Sequence, residues 1–139
     1  MKSKLQKKID DPNSRYWKNK ADKTWSTLMH LLYKKCAINK NCKGRLEAHH
    51  LISRKNKTTR YCLNNGIVLC SLHHKFSITL SAHSAPIPFA QWLKDNDPEQ
   101  YDWVLKNNNL NDDTFISYEN QTKALEAIIQ RVKNERSKK

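Results

Sequence analysis

Residues 36–74 interleave two sets of side chains whose types and spacing could do chemistry. The first set, Cys36-x5-Cys42 and Cys70-x2-His73, has the paired spacing of a tetrahedral zinc site. Zinc takes Cys thiolates and His nitrogen in that arrangement, from two short knuckles that an intervening hairpin brings together. The second set, His49-His50, Asn65 and His74, is left over for chemistry once the zinc ligands are assigned. Imidazoles exchange protons near neutral pH and ligate divalent ions, so this set is the candidate reaction centre. Cys62 has no close partner and reads as a buried thiol, with replacement of His73 as fourth zinc ligand as its alternative. His83, in SAHSAP, is a second-tier candidate flanking the centre, and His30 lies in an apolar helical stretch as a structural residue.

The segments LEAHHLISR (46–54) and LNNGIVLCSLHH (63–74), with the upstream Cys pair, resemble the HNH endonucleases, also called ββα-metal or His-Me finger nucleases. The resemblance implies a strand carrying the His pair, a loop, a second strand beginning near the Asn, and a helix carrying the last His. It also implies roles. His50 is the general base, His49 and His74 hold one divalent ion with Mg²⁺ foremost, and Asn65 ties the loop to the base, with Asn64 as fallback. Alternation along a strand sends His49 and His50 to opposite faces, so a swap of ligand and base remains open. Nitrogen ligands also leave Mn²⁺, Ni²⁺, Co²⁺ or Zn²⁺ open as the ion. If His50 titrates as an ordinary imidazole, activity rises through about pH 6.5.

Phosphodiester hydrolysis needs a water deprotonated near neutral pH and neutralisation of the charge that grows on the phosphoryl and leaving oxygens; one base and one cation suffice. The resemblance thus implies, as the expected function, a metal-dependent DNA endonuclease that nicks or cuts both strands. A zinc-stapled, non-catalytic DNA-binding module is the alternative, and it leaves the grouping of His49, His50, Asn65 and His74 without a reason. Small stand-alone proteins of this type with basic arms resemble those of bacteriophages and mobile elements.

Charge supports a polyanionic partner. The first sixty residues hold 17 Lys+Arg against 4 Asp+Glu, and the remaining residues hold 9 of each, so the whole excess of +13 lies beside the His pair. Such asymmetry favours binding by counterion release without sequence readout. Arg54, Lys55, Lys57 and Arg60, in the loop after the His pair, are the expected phosphate contacts. Duplex DNA is the expected partner, with weak sequence preference or with specificity supplied by a partner; a homodimer and a phage or host protein partner both stay open. A double-strand cut by one small site requires a dimer or two independent nicks.

The elements that must position these groups follow from periodicity. The expected class is α+β and mostly helical: a zinc-stapled ββα-metal unit at about 36–80 with N-terminal and C-terminal helices around it. Residues 1–13 read as a flexible basic arm and 14–139 as one domain, as 139 residues permit. Ser14 is a plausible N-cap for a helix to about Lys35, whose Trp17, Ala21, Trp25, Leu28, Met29 and Leu32 form an apolar stripe. RLEAHHLI and IVLC read as strands, and SLHHKFSITL as a helix with Leu72, Phe76 and Leu80 on one face. Short helices follow at 89–94 and after Asp97-Pro98, and a longer one from Tyr118 to about Arg136 carries Leu125, Ile128, Ile129 and Val132 inward, so that about 86–136 is helical. No apolar run reaches membrane-spanning length and the N-terminus lacks an apolar leader core, so a cytoplasmic location is expected. In a reducing compartment the four cysteines are ligands or thiols, not disulfides.

Overall fold

The computed structural model describes residues 1–138. Its centre is the helix α2 (Arg15–Leu32), which buries Trp17, Ala21, Trp25, Leu28 and Met29 on one face. A second long helix, α5 (Tyr118–Ser137), lies against it and contributes Tyr118 and Leu125 to the same core. Ser117 caps α5, its hydroxyl accepting the Asn120 N–H at 3.0 Å.

The N-terminal thirteen residues are not the flexible arm expected from sequence. Lys4–Asp10 forms helix α1, capped by the Ser3 hydroxyl. Two bonds dock it: the Trp17 indole donates to the Ile9 carbonyl at 2.8 Å, and the Ser14 hydroxyl donates to the Lys8 carbonyl at 2.6 Å. Ser14 therefore holds the N-cap position of α2 without capping it.

Two strands, β1 (Leu46–His50) and β2 (Gly66–Cys70), pair antiparallel, with Leu46 opposite Cys70 and His50 opposite Gly66. All five residues of β2 are buried because it lies between two apolar clusters. Val68 joins the α2–α5 core, while Ile67 and Leu69 join a cluster with Phe89 and Leu93. An uninterrupted apolar run is what a strand covered on both faces requires.

The helix expected after Cys70 is replaced by a single π-helical turn, Leu72–Phe76, closed by the Ser77 N–H donating to the Leu72 carbonyl at 2.8 Å. It stops because the Ser77 hydroxyl accepts the N–H groups of Leu80 at 3.0 Å and Thr79 at 3.3 Å, a local turn that competes with helix. Phe76 consequently stays 68% exposed and does not line a buried stripe with Leu72 and Leu80.

Two further helices close the second cluster. α3 (Pro86–Asn96) begins three residues before the expected Phe89, since Pro86 and Pro88 fit a first helical turn. α4 (Pro98–Asn107) starts at Asp97, whose carboxylate accepts the Gln100 N–H at 3.1 Å. No helix among the described residues is long and apolar enough to cross a membrane.

Candidate functional site

The first knuckle is shaped by backbone that few residues tolerate. Asn39 and Asn41 have φ of 50° and 54°, and Gly44 has φ of 85°. Asparagine and glycine are the residues that visit this left-handed region at low cost. A side chain at Gly44 would also meet Ser71 Cβ at 2.6 Å. That close approach lets the Leu72 N–H donate to the Lys43 carbonyl at 3.1 Å and the Ser71 N–H to the Arg45 carbonyl at 3.0 Å, locking the two knuckles together.

Cys36, Cys42, Cys70 and His73 converge as a result and are positioned to bind a metal ion. Their sulfurs stand 3.6, 3.8 and 3.2 Å from His73 Nδ1. A tetrahedral zinc with bonds of about 2.3 Å to sulfur and about 2.0 Å to nitrogen separates such atoms by roughly 3.5 Å, so the donor set fits. Burial opposes ionisation of Cys70, but the His73 and Lys43 backbone N–H groups outweigh it and hold the thiol below its ordinary range. Cys42 is pushed up to about 11, first by loss of water and then by the Cys36 and Cys70 sulfurs. Cys62 lies elsewhere, half-buried, with its thiol donating to the Thr58 carbonyl at 3.7 Å.

A second cluster unites His49, His74 and His83, with one ring nitrogen of each lying within 4.8 Å of the other two. His74 Nε2 is 3.1 Å from His49 Nδ1 and 3.1 Å from His83 Nε2. Nitrogens bound about 2.1 Å from one ion stand roughly 3.0 to 3.4 Å apart, so both His74 contacts suit a shared ion, and the three residues together could hold one. His83 reaches the site because the chain doubles back: the Ala82 N–H donates to the His73 carbonyl at 2.9 Å and the His83 N–H to the His74 carbonyl at 3.0 Å. Spacing along the sequence gives no hint of that pairing. His74 Nδ1 donates to Glu47 Oε1 at 3.2 Å, which leaves Nε2 free as a ligand. Burial disfavours the Glu47 carboxylate, but the His74 hydrogen bond and the nearby Lys75 ammonium outweigh it and keep the group ionised. Glu47 is absent from the sequence-based set, although a signal existed: it precedes His49 by two and so shares its face of β1. Burial, then the neighbouring His74 and His83, pushes His49 down to about 3, so it is neutral and ready to ligate.

His50 points the other way. Its ring stacks on Trp25 with centroids 3.9 Å apart and planes 14° apart, and its Nε2 donates to the Arg60 carbonyl at 2.9 Å. Gly66, opposite it, has no room for a side chain, which would strike Met29 and Trp25. Burial pushes the imidazole down to about 4, against the Arg60 hydrogen bond, so the neutral form with a bare Nδ1 prevails at neutral pH. An ordinary imidazole titrates near pH 6.5, so His50 differs from that expectation in being displaced to acid. Asn65 is fully buried and spans the loop: Oδ1 accepts the Ile52 N–H at 2.5 Å, while Nδ2 donates to the Ile52 and Thr59 carbonyls at 3.1 Å each. Asn64 is exposed and only its carbonyl is engaged, by Gln100 at 2.9 Å.

No family model, curated protein or solved structure matches this chain. The functional argument therefore rests on its own residues. Trp25, His49, His50, Arg54, His74 and His83 line one cleft of about 770 Å³. Arg54, Lys55 and Lys57 are exposed beside it, but Arg60 is not available as a phosphate contact. Its guanidinium is buried and gripped by Asp22, Nε to Oδ1 at 2.9 Å and Nη2 to Oδ2 at 2.7 Å, with Nη1 donating to the Arg54 carbonyl at 2.8 Å. Arg60 is a structural pillar whose carbonyl orients His50.

Proposed function

We propose that this chain is a metal-dependent DNA endonuclease of the HNH type, hydrolysing phosphodiester bonds with His50 as general base. The observation that carries the reading is the division of labour in one cleft: three imidazoles converge within ligand distance, and beside them a fourth, neutral and oriented, keeps Nδ1 unengaged.

Each residue then has a task. The Trp25 ring and the Arg60 carbonyl hold the His50 plane and fix its tautomer, so that Nδ1 receives the proton of the attacking water. Asn65 holds the loop that carries the Arg60 carbonyl. His49, His74 and His83 would hold the divalent ion, which when bound supplies positive charge to the phosphoryl and leaving 3′ oxygens. Three neutral nitrogen donors suit Mn²⁺, Co²⁺, Ni²⁺ or Zn²⁺ better than Mg²⁺, so the family expectation of Mg²⁺ gives way to the donor chemistry. Zinc at Cys36, Cys42, Cys70 and His73 would be structural, since four protein ligands leave no open position.

The test is plasmid cleavage by zinc-loaded protein with Mn²⁺, Co²⁺, Ni²⁺ or Mg²⁺, with and without chelator. His50→Ala should lower the rate about 10² to 10⁴-fold while zinc content and DNA affinity stay near parental values. Absence of cleavage with every ion would leave the zinc-stapled binding module as the function.

A further inference from the structure

Resting on the endonuclease reading, we propose that the N-terminal half of α2 forms a second wall of the DNA path, with Arg15 and Lys18 gripping phosphates that flank the scissile one. The residues Arg15, Lys18, Asp22 and Trp25 recur at spacings of three and four, so they form one stripe along α2. At its lower end Trp25 stacks on the general base. At its upper end Arg15 and Lys18 face the loop after β1 across a groove of about 850 Å³. Asp22, Ser53 and Arg54 line both this groove and the cleft of the reaction centre, so the two are continuous.

The charge state of the groove points to a polyanion. Arg15, Lys18, Arg54, Lys55 and Lys57 all line it, and none of them makes an ion pair among the described residues. Its one carboxylate, Asp22, is already committed to the Arg60 guanidinium and to the Tyr61 hydroxyl at 2.8 Å. Lys18 and Lys57 sit 6.0 and 5.7 Å from the centroid of the Tyr118 ring, which steadies two like charges near each other without neutralising either. The groove is anchored as well: the Pro12 carbonyl accepts the Glu119 N–H at 3.0 Å, pinning the start of α2 to the start of α5.

Length selects the ligand. Lys18 and Arg15 lie seven and ten residues before Trp25, or about 10 and 15 Å along the helix axis at about 1.5 Å per residue. Duplex DNA rises about 3.4 Å per phosphate on each strand, so the wall reaches roughly three to four nucleotides from the cut. A free nucleotide is too short to occupy both ends. Cations on helix and loop read phosphate positions and not base edges, which makes this contact indifferent to sequence.

The experiment measures binding of zinc-loaded His50→Ala protein, with Mn²⁺ present, to a 30-base-pair duplex across a salt series. The double variant Arg15→Glu/Lys18→Glu should weaken binding and flatten the slope of log affinity against log salt by about two, near 0.9 per lost phosphate contact. A charge-matched control, Lys106→Glu/Arg131→Glu, should leave the slope close to parental. An unchanged slope in the Arg15/Lys18 variant, or an equal loss in the control, overturns the proposal. Tripolyphosphate should compete only at concentrations far above those of the duplex; tight tripolyphosphate binding lost in the Arg15/Lys18 variant would instead make the groove a free-phosphate site and also overturn it. Because the readout is binding, it separates the two claims. Protein that binds through Arg15 and Lys18 but never cuts sinks the endonuclease reading, whereas protein that cuts with an unaltered salt slope sinks only the second wall.

Discussion

Glu47 offers the sharpest test of the three-histidine cluster, because it touches the proposed ion only through His74. Its side chain is 18% exposed and its Oε1 accepts the His74 Nδ1 proton at 3.2 Å. A carboxylate behind a ligating imidazole fixes the tautomer and raises ligand basicity, and loss of such a partner typically costs about 10 to 100-fold in metal affinity. That range is about 1.4 to 2.7 kcal/mol. Glu47→Gln keeps an acceptor at the same place but removes the charge, so it belongs near the tenfold end; Glu47→Ala removes both and belongs near the hundredfold end. The assay is Mn²⁺ titration of zinc-loaded protein, following the free-ion electron paramagnetic signal, with zinc content measured in parallel. Arg45 and Lys75 approach Glu47 only to 3.9 Å, so losing those contacts should cost little in stability. The reasoning fails if Glu47→Ala binds Mn²⁺ as tightly as the parent, for then His74 is not held as a ligand through its Nδ1 proton.

Three other perturbations probe separate parts of the fold. His83→Ala removes the exposed member of the cluster, so Mn²⁺ affinity should fall while zinc content is kept, and any cleavage defect should lessen as Mn²⁺ is raised; a defect independent of Mn²⁺ would remove His83 from the ligand set. Gly44→Ala must adopt a φ of 85° and crowd Ser71, so it should destabilise the knuckles by about 2 kcal/mol or more in thermal melts, and Ser71→Gly should restore only part of that loss. Tyr61 is held protonated, first by burial and then by its hydrogen bond to Asp22, so its ionisation is displaced well above the ordinary range near pH 10. The unfolded chain releases that proton first, which means the stabilisation is complete below about pH 10 and is lost as pH rises further. Tyr61→Phe should therefore be less stable than the parent at pH 8 and converge with it in alkali; a gap that stays constant would show that Asp22 does not hold the proton.

Periodicity and ligand spacing made much of the framework legible. The stripe of α2, both strands, the start of α4 and the extent of α5 follow from apolar recurrence and from Asp97-Pro98 at a helix start. What escaped depended on contacts distant in sequence. The order of α1 comes from Trp17 and Ser14 bonding back to it, which composition cannot reveal in a lysine-rich segment. Arg60 looked like a phosphate contact because its partner, Asp22, lies 38 residues away on another element. His83 stands in the sequence only as a flanking candidate, because its place in the cluster depends on a backbone pairing of residues 82–83 with 73–74. The helix expected through Leu80 failed for a local reason, the Ser77 turn, which apolar periodicity at Leu72, Phe76 and Leu80 concealed.

The π turn that replaced that helix explains why the two ligand sets interleave. His73 and His74 are consecutive, both buried, and serve different clusters, so the backbone between them must send one ring toward the three sulfurs and the next toward His49 and His83. Within the turn, the wider closure from Leu72 to Ser77 also releases the chain early enough for residues 82–83 to return alongside 73–74. A longer α-helix would carry the chain onward and leave His83 without its pairing. Such π insertions are rare and concentrate at functional sites. Metal at the sulfur cluster would thus act beyond folding energy: by fixing His73 it would fix the peptide from which His74 projects, and through the backbone pairing the position of His83. The sulfur cluster and the proposed reaction centre are on this account one mechanical unit, in which Cys70 ends the strand, His73 joins the sulfurs and His74 turns to the histidine cluster.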